Sequence, residues 1–311
     1  MQADLKDKQQ KTLADLKRKL DQLPMLPGVI ARLMVLDKND EKYFDETLKL
    51  SQEDPAFATR LLRIANSAAM AAASPITTLQ HAIMRIGTHQ IANLIMTMTV
   101  MRVFIPTKKS QRDLWIHAIQ VAVIARTIAR MNLSLKVDPE QAYLCGLLHD
   151  IGRFVLLEGA ADELGRIDES NWTTPQELVD VEKKLCGFDH AEMGCHACQK
   201  WYLPEIVSAV IKEHHAYPPS PSIAKDTSLI KLIQVIQQAD TFSVLLMLND
   251  QSTWDTDEFK QLITQRCVHP TWKKPPVSPM QLHNQTYRVF EESKQVALGL
   301  GLPMHDQAYT D

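Results

Sequence analysis

The sequence predicts an all-α protein, and three observations carry that prediction. Apolar residues recur at the helical period along almost every patterned segment. Helix starts and stops are marked by capping residues, prolines and glycines. Alternating strand patterns and hairpin turns are essentially missing, as are internal repeats and low-complexity tracts. With 311 residues, 45% of them hydrophobic, the chain can bury a sizeable core in one large domain or two ordinary ones.

The elements follow in order. Residues 1–22 place Leu5, Leu13, Leu16, Leu20 and Leu23 among charges, the pattern of an amphipathic helix lying on the core or forming a dimer arm. Residues 54–65 open on Asp54 as N-cap with Pro55 in the first helical position. Residues 77–86 open with a Thr-x-x-Gln capping box and stop at Gly87, and a second helix over 89–104 follows at once. That second helix is too apolar to offer a DNA-reading face, so the pair reads as packing and not as a helix-turn-helix. Residues 111–131 form a long helix apolar nearly all round, of the kind that lies inside a bundle. Asp138 and Pro139 cap the next helix. Others cover 175–186 and 190–201, and Pro204 opens a short one ending near His214. "AYPPSPS" at 216–222 is the clearest linker, and a strong helix over 227–248 follows it. Residues 249–311 read as a partly helical appendage.

Several classes are excluded or weakened. The net charge of −3 leaves no overall basic footprint for nucleic acid. The opening residues are charged throughout and do not read as a signal peptide, and no run approaches the apolar length of a membrane span. Five cysteines without a regular framework suit a reducing cytoplasm, and "CHAC" at 195–198 reads as a reduced structural pair. A cytoplasmic protein is expected.

Against this background a few polar residues stand out. "CGLLHDIGRF" at 145–154 sets His149 and Asp150 side by side in an apolar stretch, where a charge is costly unless paired or metal-bound. Asp113 and His117 lie four apart on the long helix and so share a face. His117 is either a ligand or a core histidine bonded to a carbonyl. In 229–248 the apolar stripe runs Leu229, Leu232, Ile233, Ile236 and then Asp240, where the period calls for a leucine. That aspartate is either a ligand or a cap on a neighbouring helix. His190 stands at a helix start, and His214 and His215 at a helix end. Imidazoles and carboxylates in the order His, His-Asp, His, His-His, Asp suit a divalent transition metal.

This set resembles the HD metal-dependent phosphohydrolase superfamily, whose isolated His, His-Asp doublet and later Asp match His117, His149, Asp150 and Asp240. The HD-GYP branch, which hydrolyses cyclic dinucleotides, adds ligands that match His190, His214 and His215, and Asp113 stands where that branch has a glutamate. Two departures are visible: the stretch after the histidine pair is shortened to "HHAYP", and Arg153 replaces a lysine. Arginine can hold a phosphate bidentately but is no substitute in proton transfer.

The segments "LPMLPGVIARLMVL", "SQEDPAFATRLLRIANSA" and "ITTLQHAIMRIGTHQIANL" are similar to those of HDOD proteins, HD-related output domains of bacterial signalling. That resemblance implies a domain over 20–248, with an N-terminal lobe at 20–105 and an HD-like metal-binding lobe at 110–248. It also implies action mainly through signalling partners, most of its members having lost the ligands that this chain retains. The alternative is an active metal-dependent phosphohydrolase on a nucleotide or cyclic dinucleotide, with iron, manganese or zinc as cofactor and with Asp150 and Arg153 carrying catalysis. A homodimer is compatible with either; a membrane or nucleic-acid partner is not expected.

Overall fold

The computed structural model describes residues 41–66, 75–160 and 174–302, with isolated residues within 14–22 and 165–172 and Met304. Every regular element among the described residues is helical. The α-helices in order are α1 (Glu41–Glu53), α2 (Pro55–Ala65), α3 (Leu79–Ile86), α4 (Thr88–Val103), α5 (Lys109–Met131), α6 (Pro139–Leu148) and α7 (Ile151–Gly159). Then come α8 (Pro175–Cys186), α9 (His190–Lys200), α10 (Glu205–Glu213), α11 (Thr227–Leu248), α12 (Asp257–Arg266), α13 (Pro279–His283) and α14 (Thr286–Gly299). The "LPMLPGVIARLMVL" segment and Leu5, Leu13 and Leu23 lie outside the described residues; Leu16 and Leu20 are buried.

The caps explain the boundaries. Asp54 accepts from the Phe57 amide at 3.1 Å, and Asp138 accepts from Glu140 and Gln141 ahead of Pro139. At α3 the predicted box shifts by one residue. Thr78, not Thr77, is the N-cap, its hydroxyl accepting from the His81 amide at 3.2 Å. Asn66 crosslinks rather than caps, bonding the Leu62 carbonyl and both backbone groups of Ile76. None of the five cysteines is in a disulfide.

The chain divides into two compact units. One comprises residues 25–106 with 295–303; in it α1 to α4 pack on one another around Tyr43, Leu61, Ile83 and Ile91. The other comprises residues 107–294. Its axis is α5, buried continuously from Leu114 to Ala129, against which α6 and α11 pack. Helices α9 and α10 pack together, α9 lies on α7, and α12 reaches α11. Helices α5 and α11 have the length and hydropathy of a membrane span, but 78% and 72% of their apolar windows are buried inside the fold. Their apolar surface is used by packing. Arg126 shows how such a helix carries a charge: its guanidinium pairs with Glu292 at 2.5 Å and lies 4.8 Å from the centre of the Tyr143 ring.

Two glycines set the spacing of the helices that matter most. A Cβ on Gly146 would stand 2.8 Å from the Ala122 Cα, so α6 lies backbone to backbone on α5. A Cβ on Gly152 would fall 1.8 Å from the His190 carbonyl oxygen and 2.7 Å from the Gly194 nitrogen. Only glycine lets α7 approach α9 this closely.

Candidate metal centre

Most of the singled-out polar residues sit where helices end. His149 is the C-cap of α6 and Asp150 the N-cap of α7, so the doublet occupies the break between two helices. His190 opens α9 because Asp189 caps it, in a capping box with Glu192. Lys183 pairs with Asp189 at 2.9 Å. Burial raises the Asp189 carboxyl, but the Glu192 amide and Lys183 bring it below its ordinary range. His214 is the C-cap of α10, and His215 follows it. His117 and Asp240 come instead from the middles of α5 and α11.

The structure brings these residues into two groups. His117, His149 and Asp240 offer ligand atoms within 4.8 Å of one another, and so do Asp150, His190, His214 and His215. Asp150 reaches both. Its Oδ1 stands 3.1 Å from His190 Nε2 and 3.7 Å from the Nε2 atoms of His214 and His149, while its Oδ2 is 3.8 Å from His117 Nε2. Asp240 Oδ1 lies 3.2 Å from His117 Nε2 and 3.8 Å from His149 Nε2.

The hydrogen bonds behind the rings decide which nitrogen points inward. His149 Nδ1 donates to the Gly146 carbonyl at 2.7 Å and His214 Nδ1 to the Ile211 carbonyl at 2.6 Å. His190 Nδ1 donates to Glu182 Oε2 at 2.6 Å, and the same oxygen accepts the His190 amide at 2.9 Å. The Ser243 hydroxyl donates to Gln120 Oε1, leaving its oxygen to accept from His117 Nδ1 at 3.0 Å. Four imidazoles thus donate from the outer nitrogen and turn the inner one, Nε2, toward the centre, where it offers a lone pair once unprotonated. Those lone pairs confront each other: 3.3 Å separates the Nε2 atoms of His117 and His149, and 3.2 Å those of His190 and His214. Two lone pairs at that distance need a proton or a metal ion between them. The donor set therefore fits divalent metal, with nitrogen and oxygen ligands only.

Electrostatics supports this arrangement. Burial pushes His149 down to about 4, against the pull of Asp150 and Asp240. Burial also opposes charge on His190, yet Glu182 and Asp150 on either side hold it up at about 10. In the metal-free chain a proton thus takes up part of the cation's place. Burial would raise the Asp150 and Asp240 carboxyls, but the surrounding imidazoles keep both below the carboxylate range. Burial, then His214 and His190, lower His215 well below an ordinary histidine.

Asp113 lies outside both groups. With Ser110, His117, Arg153, Trp172 and Met247 it lines an open cleft of about 240 Å³. The Arg153 guanidinium lies 5.8 Å from the Trp172 ring centre. Seven ligand candidates therefore converge, and Asp113 and Arg153 flank the His117 side. Sequence reasoning missed Glu182, Ser243 and Gln120. Glu182 was findable: Leu178, Glu182 and Cys186 form one buried i, i+4, i+8 stripe of α8, so it sits at an apolar position as Asp240 does. Ser243 and Gln120 are ordinary residues in ordinary places, and only the fold reveals their partner.

Comparisons with known proteins bear on the family and the fold. The HDOD domain family profile matches residues 23–217. An uncharacterized protein of Treponema pallidum (strain Nichols) is 27% identical over 213 residues, which cover 68% of this chain and 41% of that protein. The chain thus spans about two fifths of the length of the curated relative it matches. An HDOD domain protein with unknown function from Geobacter sulfurreducens has a TM-score of 0.69 at 22% identity, covering 93% of this chain and 97% of that one. A candidate phosphohydrolase from Shewanella amazonensis SB2B has a TM-score of 0.64 at 24% identity, covering 92% and 98%. A candidate metal-dependent phosphohydrolase from the same organism has a TM-score of 0.55 at 20% identity, covering 92% and 99%. At these identities the likeness is one of fold.

Proposed function

The chain belongs to the HDOD domain family, and from that premise we propose that its helical unit at 107–294 is a two-metal phosphohydrolase centre serving a bacterial, cytoplasmic signalling protein. The observation that carries this reading is the pair of ligand groups joined by Asp150. His117, His149 and Asp240 would hold one divalent ion and His190, His214 and His215 the other, with Asp150 shared. Manganese, iron and zinc all suit nitrogen and oxygen donors. Such ions supply Lewis acidity to a phosphoester and to the attacking water.

The chain's own residues supply the rest. Arg153 lines the cleft beside His117 and offers a permanently charged fork to phosphate oxygens. Met247 and Leu157 give that cleft an apolar wall, and Ser110 and Asp113 give it hydrogen-bonding groups. Ser243 and Glu182 lock the rings of His117 and His190, so the ligands need no reorganisation during the reaction. The sequence alone tips toward partner binding, because it shows only Arg153 for a substrate cradle. A cleft that sets Arg153 beside His117, with Ser110, Asp113 and Trp172 in its lining, supports hydrolysis of a nucleotide or other phosphoester.

A second reading keeps partner binding as the main output. It is favoured by the extent of the family match, which includes the unit at 25–106 and stops short of Asp240. Signalling proteins, or a second copy of the chain, are the partners it implies. The two readings separate on turnover. With manganese present the wild type is expected to hydrolyse bis(4-nitrophenyl) phosphate or 4-nitrophenyl phosphate well above background, and Asp150→Ala to return to background. Manganese binding without turnover on these or on nucleotides would leave the signalling reading in possession.

A further inference from the structure

The C-terminal stretch 249–294 lies beyond the residues matched by the family profile, and hydrolysis as described leaves it without a task. Its segment 267–277 nevertheless grips both arms that carry ligands. Gln238, fully buried on α11, donates its amide to the Cys267 carbonyl at 3.0 Å and to the Val277 carbonyl at 2.9 Å. Its oxygen accepts the Val277 amide at 3.1 Å. Gln237 donates to the Ala216 carbonyl at 3.1 Å. Tyr217 stacks on His269, with ring centres 4.1 Å apart and planes at 29°, and Trp272 stands 6.4 Å from Tyr217. Ala216 and Tyr217 directly follow the His214–His215 pair, and Gln238 precedes Asp240 by two residues.

His215 is the residue that needs such a brace. The other four histidines of the centre each have an outer nitrogen held by a protein acceptor. His215 Nδ1 is buried with no hydrogen-bond partner among the described residues, while its Nε2 lies 2.9 Å from His190 Nε2. No hydrogen bond behind the ring orients it. Besides its contacts with the His214 and His190 rings, 3.9 and 4.8 Å between centres, its placement depends on the chain that follows, and that chain is held by the Tyr217–His269 stack.

We propose that segment 267–277 is a positioning element of the metal centre, acting on His215 through His269 and Tyr217 and on Asp240 through the Gln238 clasp. This rests on the reading that the centre binds divalent ions, and it makes His269 and Gln238 positioning residues rather than ligands. Calorimetric titration of the full chain with manganese tests it, alongside the melting temperature of the metal-free protein. His269→Ala is expected to weaken manganese binding about tenfold, the lower end for loss of a supporting partner. His269→Phe, which keeps the stack, should restore it, with the metal-free melting temperature of both near wild type. Gln238→Ala is expected to weaken binding as well and also to lower that temperature, because it orphans Val277 and Cys267 backbone groups. Wild-type manganese affinity in His269→Ala, or a loss that His269→Phe does not repair, overturns the proposal. Manganese binding by wild type without turnover would sink the hydrolytic reading and leave this one standing; no binding at all would remove both.

Discussion

The two ligand groups differ in what stands behind them. The His117 group is backed by neutral partners: a serine hydroxyl behind His117 and a backbone carbonyl behind His149. The His190 group has a fully buried carboxylate behind its first histidine and a backbone carbonyl behind His214. It also has three imidazoles to the other's two. A carboxylate behind a ligating imidazole raises its basicity and fixes its orientation, so the His190 group is built to hold its ion more tightly. The His117 group has one imidazole fewer and adjoins the cleft containing Arg153. With Asp150 shared each group offers four side chains, so it is the open side that gives the His117 group the mark of a catalytic position. On the proposed two-metal reading, the difference implies a division of labour in which one ion anchors and the other works.

Asp150→Ala removes the only residue common to both groups and has the largest expected effect. Metal content should fall from two ions per chain toward none, as measured on protein purified with manganese. The stabilisation that metal gives should vanish with it, about 2.7 kcal/mol when metal is present at 100 times Kd. Loss of one ion with the other kept would show that Asp150 belongs to a single group and would dissolve the shared-ligand geometry.

Glu182→Gln separates the groups. The amide keeps the shape and can still meet the His190 ring but removes the buried charge, so affinity at the tighter position should fall about 10- to 100-fold. The weaker position should be unchanged. In a two-site titration the curves would then merge, and a mutant whose weaker site moved instead would reverse the assignment of anchor and working ion.

Part of this was legible in the sequence, for a physical reason. Burial of a polar residue shows against an apolar period, so Asp240 on α11 and the doublet at 149–150 could be singled out without coordinates. The helices were legible through their caps, Asp138 before Pro139 and Asp54 before Pro55. The α3 start slipped by one because Thr77 and Thr78 are chemically equivalent, and only backbone geometry chooses between them. Glu182 obeys the same rule as Asp240, and on α8 the rule was not applied. Ser243 and the Gly152–His190 approach are illegible in principle: a serine or a glycine breaks no period, and its partner is 126 residues away in the first case and 38 in the second.

Arg153→Ala acts on the open side alone. Metal content at both positions should remain at wild-type levels, because Arg153 is no ligand. The kcat/KM for a phosphoester should fall about 10- to 100-fold, the range for losing a charged hydrogen bond of roughly 1.5–3 kcal/mol. Measuring metal and turnover on the same sample checks it. Lost metal in this variant would place the arginine among the supports of the centre and take away the cleft's claim to the substrate.

Ser243→Ala should give the smallest effect, and it probes the neutral backing directly. The hydroxyl accepts from His117 Nδ1 and donates to Gln120, so its removal leaves both buried groups facing a gap. A neutral hydrogen bond contributes about 0.5–1.5 kcal/mol, which converts to between twofold and about tenfold in metal affinity at the His117 position. The anchoring position should not respond, since Glu182 and the Ile211 carbonyl hold its rings independently. A loss as large as that of Glu182→Gln would mean that neutral and charged backing are equivalent here. The asymmetry between the two groups would then have to come from the number of imidazoles alone, and Ser243→Ala and Glu182→Gln together decide between those origins.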